Sequence, residues 1–174
     1  MRKLILASSL FLFAQSAYSF VNAEAFYGKR WYDNSEFKSS GDMVSLGLNL
    51  DPIPLPVSAG IGYGHTELKA SDFNLKNIAY DELSFNIKAW VPFVPIITPY
   101  ARVSAPLVAR LRETTKGSHT HLTAVRGYDL GVGIAYRLLP LIHLEIEFRE
   151  SFAKDNDALR MNSHLLLFGL AVGI

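Results

Sequence analysis

Phe168-Gly169-Leu170-Ala171-Val172-Gly173-Ile174 decides the reading of this 174-residue chain. Phe168, Leu170, Val172 and Ile174 alternate with Gly169, Ala171 and Gly173. A period of two belongs to a β-strand, here with one bulky apolar face and one nearly bare face. The sequence ends on this strand, with no polar tail after it. In water it would be a sticky edge. The expectation is that it closes a barrel against the first strand, with its bulky side in lipid.

The same alternation recurs upstream. Residues 24–32 are aromatic-rich and read as the first strand, and its faces stay open because Lys29 and Arg30 give a cation to either parity. In residues 43–50, Val44, Leu46, Leu48 and Leu50 oppose Ser45, Gly47 and Asn49. In 57–66, Val57, Ala59, Ile61 and Tyr63 oppose Ser58, Gly60, Gly62 and Gly64. In 80–91, Leu83, Phe85, Ile87, Ala89 and Val91 oppose Glu82, Ser84, Asn86, Lys88 and Trp90. In 100–111, Ala101, Val103, Ala105, Leu107 and Ala109 share one face, with Arg102, Ser104 and Arg110 on the other. Pro106 removes a ladder donor there, so a bulge is expected. In 124–138, Tyr128, Leu130, Val132, Ile134 and Tyr136 oppose Asp129, Gly131, Gly133, Ala135 and Arg137. A seventh strand sets Ile142, Leu144, Ile146 and Phe148 against His143, Glu145, Glu147 and Arg149, and the last spans 159–174.

The expected fold is all-β, an eight-stranded antiparallel up-and-down transmembrane barrel. Its connections alternate in kind. Polar loops are expected at 33–41, 67–77, 112–122 and 153–158. Proline-bearing apolar turns are expected at 51–56, 92–99 and around Pro140. Membrane barrels place long loops at one end and short turns at the other, so both termini belong at the turn end, in the periplasm.

Composition agrees. Charged residues make up 19%, and there is no basic excess of the kind nucleic-acid binding needs. There is no cysteine, hence no disulfide and no thiolate metal site. Arg2 and Lys3 followed by an apolar run to Ala14 read as a secretory leader, too short for the ~20 residues of a spanning helix. The division expected is a signal peptide over residues 1–23 and a barrel domain over 24–174, with cleavage after Ser19 as the alternative. Losing Arg2 and Lys3 takes the basic count from 17 to 15, against 16 acidic residues.

Alternation alone also fits a soluble lipocalin-type barrel, which puts its apolar face inside. The polar face argues for the membrane form. It carries Gly47, Gly60, Gly62, Gly64, Gly131, Gly133, Ala135, Gly169, Ala171 and Gly173. Interior glycine weakens a strand, and a cramped lumen explains it. Glu82, Lys88, Arg102, Asp129, Arg137, Glu145, Glu147 and Arg149 lie on that same face, four of each sign. Buried charges must be paired, so a plugged, ion-paired lumen is expected. Tyr27, Trp31, Tyr63, Tyr128, Tyr136, Phe148 and Phe168 on the apolar face would form the interfacial girdles.

At this point the mature chain resembles the small eight-stranded outer-membrane barrels of Gram-negative bacteria, the transmembrane domain of outer membrane protein A and its small relatives. The resemblance implies a C-terminal assembly signal read by the outer-membrane insertion machinery. Gly169, Val172 and Ile174 match its glycine and two hydrophobic places, while Leu167 stands for its polar residue and Ile174 for its terminal aromatic.

Three function classes follow. The first is a non-enzymatic outer-membrane protein with a structural or surface-interaction role, needing no cofactor and with membrane lipid as its surroundings. The second is association in the membrane plane as a homo-oligomer that encloses or organises lipid, through the small residues Ala59, Ala89, Ala101, Ala105 and Ala109. The third is a lipid A-modifying enzyme. Ser118-His119-Thr120-His121 and Ser163-His164 are its only materials, with Glu150 or Asp157 to orient a histidine, and the order and spacing of the deacylase pattern are not reproduced. His119 and His121 alone make no closed metal site.

Overall fold

The computed structural model describes residues 20–34, 37–52, 55–70, 77–91, 96–114, 120–155 and 162–174. Eight strands follow one another: β1 (Val21–Asn34), β2 (Phe37–Leu50), β3 (Val57–Ala70), β4 (Asn77–Trp90), β5 (Ile97–Thr114), β6 (Thr120–Leu139), β7 (Ile142–Asp155) and β8 (Ser163–Gly173). Each pairs antiparallel with its neighbours in sequence, and β8 pairs with β1 to close the ring. Closure satisfies the backbone donors of the last strand. Ile174 donates its N–H to the Val21 carbonyl at 2.8 Å.

The leader expected over 1–23 is described only from Phe20 on. Val21 is opposite Leu50, and Asn22 and Ala23 pair with both β2 and β8.

The strands extend well past the expected polar boundaries. β1 runs to Asn34 and β2 starts at Phe37, where a loop over 33–41 is expected from the sequence. β3 continues to Ala70, β5 to Thr114 and β7 to Asp155. At this end of the barrel the outer face turns charged, with Asp42, Glu67, Asp81, Arg110, Arg126 and Lys154, so the apolar alternation stops while the hydrogen-bond ladder continues. β8 starts at Ser163, later than expected.

The faces divide as the glycine argument requires. Tyr27, Trp31, Tyr63, Tyr128, Tyr136, Phe148 and Phe168 all point outward, in a belt of exposed aliphatic side chains from every strand. The inner glycines lie under large neighbours. A Cβ on Gly169 would run into the Phe26 ring, and one on Gly131 would come within 2.9 Å of Glu147 Oε1. Along β1, Glu24, Phe26, Arg30 and Tyr32 are buried while Ala25, Tyr27, Lys29 and Trp31 are exposed. The parity left open by the two adjacent cations is thus resolved: Arg30 is inside and Lys29 outside.

Two apolar clusters share the lumen with the charges. One is Phe26, Met43, Leu165 and Leu167. The other is Tyr32, Leu68, Tyr80, Ala109, Val125 and Ala153, towards the end that carries the long connections.

One face assignment needs correction. The bulge expected at Pro106 is present: Ser84 pairs with Pro106 and Leu83 with Val108, so Leu107 is the extra residue. An extra residue inverts the parity of everything after it. Leu107 and Val108 are both exposed in succession, Ala109 turns inward, and Arg110 turns outward. Ala109 therefore belongs to the lumen and not to the outer small-residue surface, and Arg110 does not share a face with Arg102 and Ser104.

The inversion is directly measurable. Ala109→Leu is expected to overpack the cluster around Tyr32 and Tyr80 and to cost about 1–3 kcal/mol. Ala105→Leu, on the outer face, should stay within about 0.5 kcal/mol of wild type. Urea unfolding in lipid vesicles checks both, and equal effects would contradict the inversion.

Candidate functional site: a charge network across the lumen

Burial of charge is tolerable here because the strands aim complementary groups at one another. Among the described buried residues are five carboxylates (Glu24, Glu82, Asp129, Glu145, Glu147) and four cations (Arg30, Lys88, Arg102, Arg149). Acids and cations are thus nearly matched in number among these residues.

The main network starts at Lys88 on β4. Its ammonium is fully buried and donates to Glu24 Oε1 on β1 at 2.7 Å and to Glu145 Oε2 on β7 at 2.6 Å. It also lies 4.4 Å from the Trp90 ring centroid and 4.1 Å from that of Tyr100, where the ring faces add favourable electrostatics. Arg102 on β5 donates to Glu24 Oε2 at 2.6 Å and reaches Glu147 Oε2 through Nε at 2.9 Å. Tyr100 donates its hydroxyl to the same Glu147 oxygen at 2.9 Å. Arg149 grips the other oxygen of Glu147 through Nε at 2.8 Å and Nη2 at 2.7 Å, with Asp129 of β6 4.0 Å away.

In a ring of eight, β1 and β5 stand diametrically opposite. The Glu24–Arg102 contact therefore crosses the full width of the lumen. Lys88 ties β1 to β7 beside it. A second, smaller pairing sits further along. Arg30 lies 3.7 Å from Glu82 and 3.5 Å from Thr66 Oγ1, with its guanidinium 4.6 Å from the Tyr80 ring centroid.

Of the eight charges expected on the inner face, Lys88, Arg102, Glu145, Glu147, Arg149 and Asp129 meet in the main network. Glu82 pairs separately with Arg30. Arg137 lies outside these two groups, half-buried in a recess at the end that carries the termini. Glu24, Arg30 and Tyr100 are participants that the sequence reading did not include. Glu24 sits at the edge of the expected leader, where period-two reasoning has no preceding strand to anchor it. Tyr100 follows a proline turn and looked like the start of a strand. Its signal was the adjacent Arg102, two residues on and hence on the same face.

The recess is lined by Asn22, Asp51, Trp90, Thr98, Arg137 and His143, among others. In it, burial pushes the Asp51 carboxyl up to about 6, with Glu24 adding to the rise and Lys88 opposing it.

The other sequence candidates are placed as follows. Gly169 lies opposite Phe26, Val172 between Ala23 and Ile142, and Ile174 at the exposed rim. Ala89 and Ala101 are directly opposite each other on the outer face, with Ala59 and Ala105 also outward. Ser163 is buried in the lumen while His164, next in the chain, is on the outer wall. The two cannot form a nucleophile–base pair from these opposite faces. Ser118 and His119 lie outside the described residues, as does the side chain of His121.

Solved structures share this architecture. Neisserial surface protein A, NspA, aligns with a TM-score of 0.78 at 13% identity, over 90% of this chain and 98% of that one. Ail, the attachment invasion locus protein of Yersinia pestis, solved with the heparin analogue sucrose octasulfate, gives 0.62 at 8% identity, over 87% of this chain and 96% of that one. The N-terminal β-barrel domain of OprF from Pseudomonas aeruginosa gives 0.52 at 13% identity, over 89% and 98%. No protein-family model matches the chain, and no curated protein does. At these identities the likeness shows the fold, that of the small eight-stranded outer-membrane barrels.

Two outcomes test the electrostatics. Lys88→Met leaves Glu145 without its cation and is expected to cost about 3–5 kcal/mol. Adding Glu145→Gln should recover much of that loss, and strict additivity in urea unfolding would mean the pair is not coupled. Asp51 tests pH. Its folded value, about 6, lies above the ordinary 3.8. Its contribution to stability is thus complete below the ordinary value and is lost as pH rises through about 6. Unfolding midpoints should fall over that window in wild type, and Asp51→Asn should flatten the slope.

Proposed function

We propose that this protein is a non-enzymatic integral outer-membrane barrel whose lumen is plugged and whose role is played at its surface. The observation that carries this reading is the Glu24–Arg102 contact between diametrically opposite strands, flanked by Lys88 between Glu24 and Glu145. An eight-stranded ring leaves room only for side chains, and here those side chains hold one another across it. The separation of Ser163 from His164 speaks against a serine–histidine lipid hydrolase, and no cofactor is part of the reading.

The long-connection end is assigned to the cell exterior and the termini to the periplasm. In support, the connections at the termini end are apolar and carry the prolines, while at the other end the outer face of the strands turns charged beyond the apolar belt. Membrane lipid is the direct partner of the outer belt, and the insertion machinery is the partner during assembly, reading Gly169, Val172 and Ile174. The likeness to a neisserial surface protein and to an attachment invasion protein supports a role in surface interaction.

A second reading is a homo-oligomer in the membrane plane. It is favoured by one observation: Ala89 faces Ala101 directly across the β4–β5 ladder, with Ala59 diagonal to Ala89, so small side chains cluster on the outer wall there. Small residues let two walls approach closely.

Planar-bilayer recording of the purified protein distinguishes a plugged barrel from a pore. The expected record shows no stable conductance steps in wild type, and steps appearing in a Glu24→Ala/Arg102→Ala variant that still folds. A large, stable wild-type conductance would overturn the reading.

A further inference from the structure

The outer wall of the barrel carries like charges directly opposite each other at two described places: an acidic pair, Asp42 and Glu67 across β2–β3, and a basic one. Arg126 on β6 and Lys154 on β7 are direct cross-strand partners, and both are exposed. Like charges directly opposite in a ladder destabilise it. At two other places on the same wall the ladder sets a cation beside an acid. Lys29 faces Asp42 across β1–β2, and Arg110 faces Asp81 across β4–β5. Asp81 is already engaged by His65 at 2.6 Å, by the Tyr63 hydroxyl at 2.9 Å, and by Arg112 at 3.8 Å. Neither Arg126 nor Lys154 has an ion pair among the described residues.

The position of the pair says what could neutralise it. The next outward pair towards the middle of the wall is Tyr128–Phe152, stacked with ring centroids 5.1 Å apart. Below it, Leu130, Val132, Ile134, Leu144, Ile146 and Phe148 form an apolar surface, with Glu150 beside His164 as its polar interruption on the β7–β8 side. Stacked amphipathic aromatics above an aliphatic band mark the interfacial level of a membrane protein. Arg126 and Lys154 lie one ladder step beyond, at the depth of headgroup phosphates. Arg110, turned outward by the Pro106 bulge, pairs with Ala124 and so stands diagonal to Arg126 as a third cation.

We infer that Arg126 and Lys154, assisted by Arg110, form a clamp for the phosphate of a membrane lipid, whose acyl chains lie along the apolar wall beneath Tyr128 and Phe152. The ligand is a phosphorylated lipid and not a soluble anion, because the cations are continuous with that apolar wall on the membrane side. On the orientation proposed above, the lipid belongs to the leaflet at the long-connection end. A phosphate bridging the two side chains turns the like-charge pair from a repulsion into a bidentate site.

The test uses the full barrel in mild detergent, titrated with diphosphorylated lipid A and read by native mass spectrometry. Wild type should bind one lipid preferentially over zwitterionic phosphatidylcholine. At about 1 kcal/mol per cation near a charged headgroup, Arg126→Gln/Lys154→Gln should weaken binding by about thirtyfold. Lys29→Gln, which removes a cation already opposite an acid, should leave binding unchanged. Both variants alter only the outer wall, and an unchanged gel-mobility shift on heating verifies folding. Equal loss in Lys29→Gln would overturn the clamp in favour of general charge attraction. Equal affinity for phosphatidylcholine, or full competition by a soluble sulfated oligosaccharide, would overturn the lipid assignment. Failure of the clamp leaves the non-conducting barrel untouched, because conductance depends on the lumen alone.

Discussion

Closing eight strands into a ring leaves an interior only about as wide as the side chains that fill it. Every inward position in this chain answers to that limit. Glu24 and Arg102 touch across the whole diameter because nothing lies between opposite walls except the side chains themselves. Phe26 can occupy the lumen because Gly169 opposite it has no Cβ to collide with its ring. Large residues and glycines are therefore complementary halves of one packing solution, and the glycine-rich face of β8 is a mould for β1.

The same narrowness turns electrostatics into a structural requirement. Charges in the lumen are cut off from bulk water, so each must be met by another group or the fold loses several kcal/mol. Lys88 shows how fully that is done here, with two carboxylates and two aromatic faces around one ammonium. Arg102 and Arg149 share Glu147 between them, and Tyr100 completes its coordination. A network of this kind binds β1, β4, β5 and β7 to one another independently of the backbone ladder. It fills the middle of the lumen with paired side chains, which share the interior with the two apolar clusters, and it is the ground for the surface role proposed above. The outer wall follows the same logic: Lys29 meets Asp42 and Arg110 meets Asp81 across the ladder, while the two cations Arg126 and Lys154 face each other.

Much of this was legible in the residues alone. Alternation in eight segments, glycines on the polar side and prolines in alternate connections specified strand number, antiparallel order and which face is inside. The bulge was legible at Pro106, because a missing donor interrupts a ladder wherever it falls. Six of the eight expected inner charges do meet in one network, since period-two geometry places side chains on a face without knowledge of the partner strand. What alternation could not deliver was anything across a gap in the pattern. The inward turn of Ala109 depends on an extra residue that inverts parity, and Glu24 lies where no earlier strand sets a phase.

By itself, then, the sequence determined the local variables: extended backbone, two distinct faces, and the bare stripe Gly169, Ala171, Gly173 that demanded a crowded interior. These depend on neighbours one or two residues away. Only the tertiary structure decided which charges meet. Register, shear and the Leu107 bulge set which residues stand opposite one another. They joined Glu24 to Arg102 over a separation of 78 residues, and they put Arg126 beside Lys154. Contact across a closed ring is a property of the whole circumference, and no segment of the chain carries it alone.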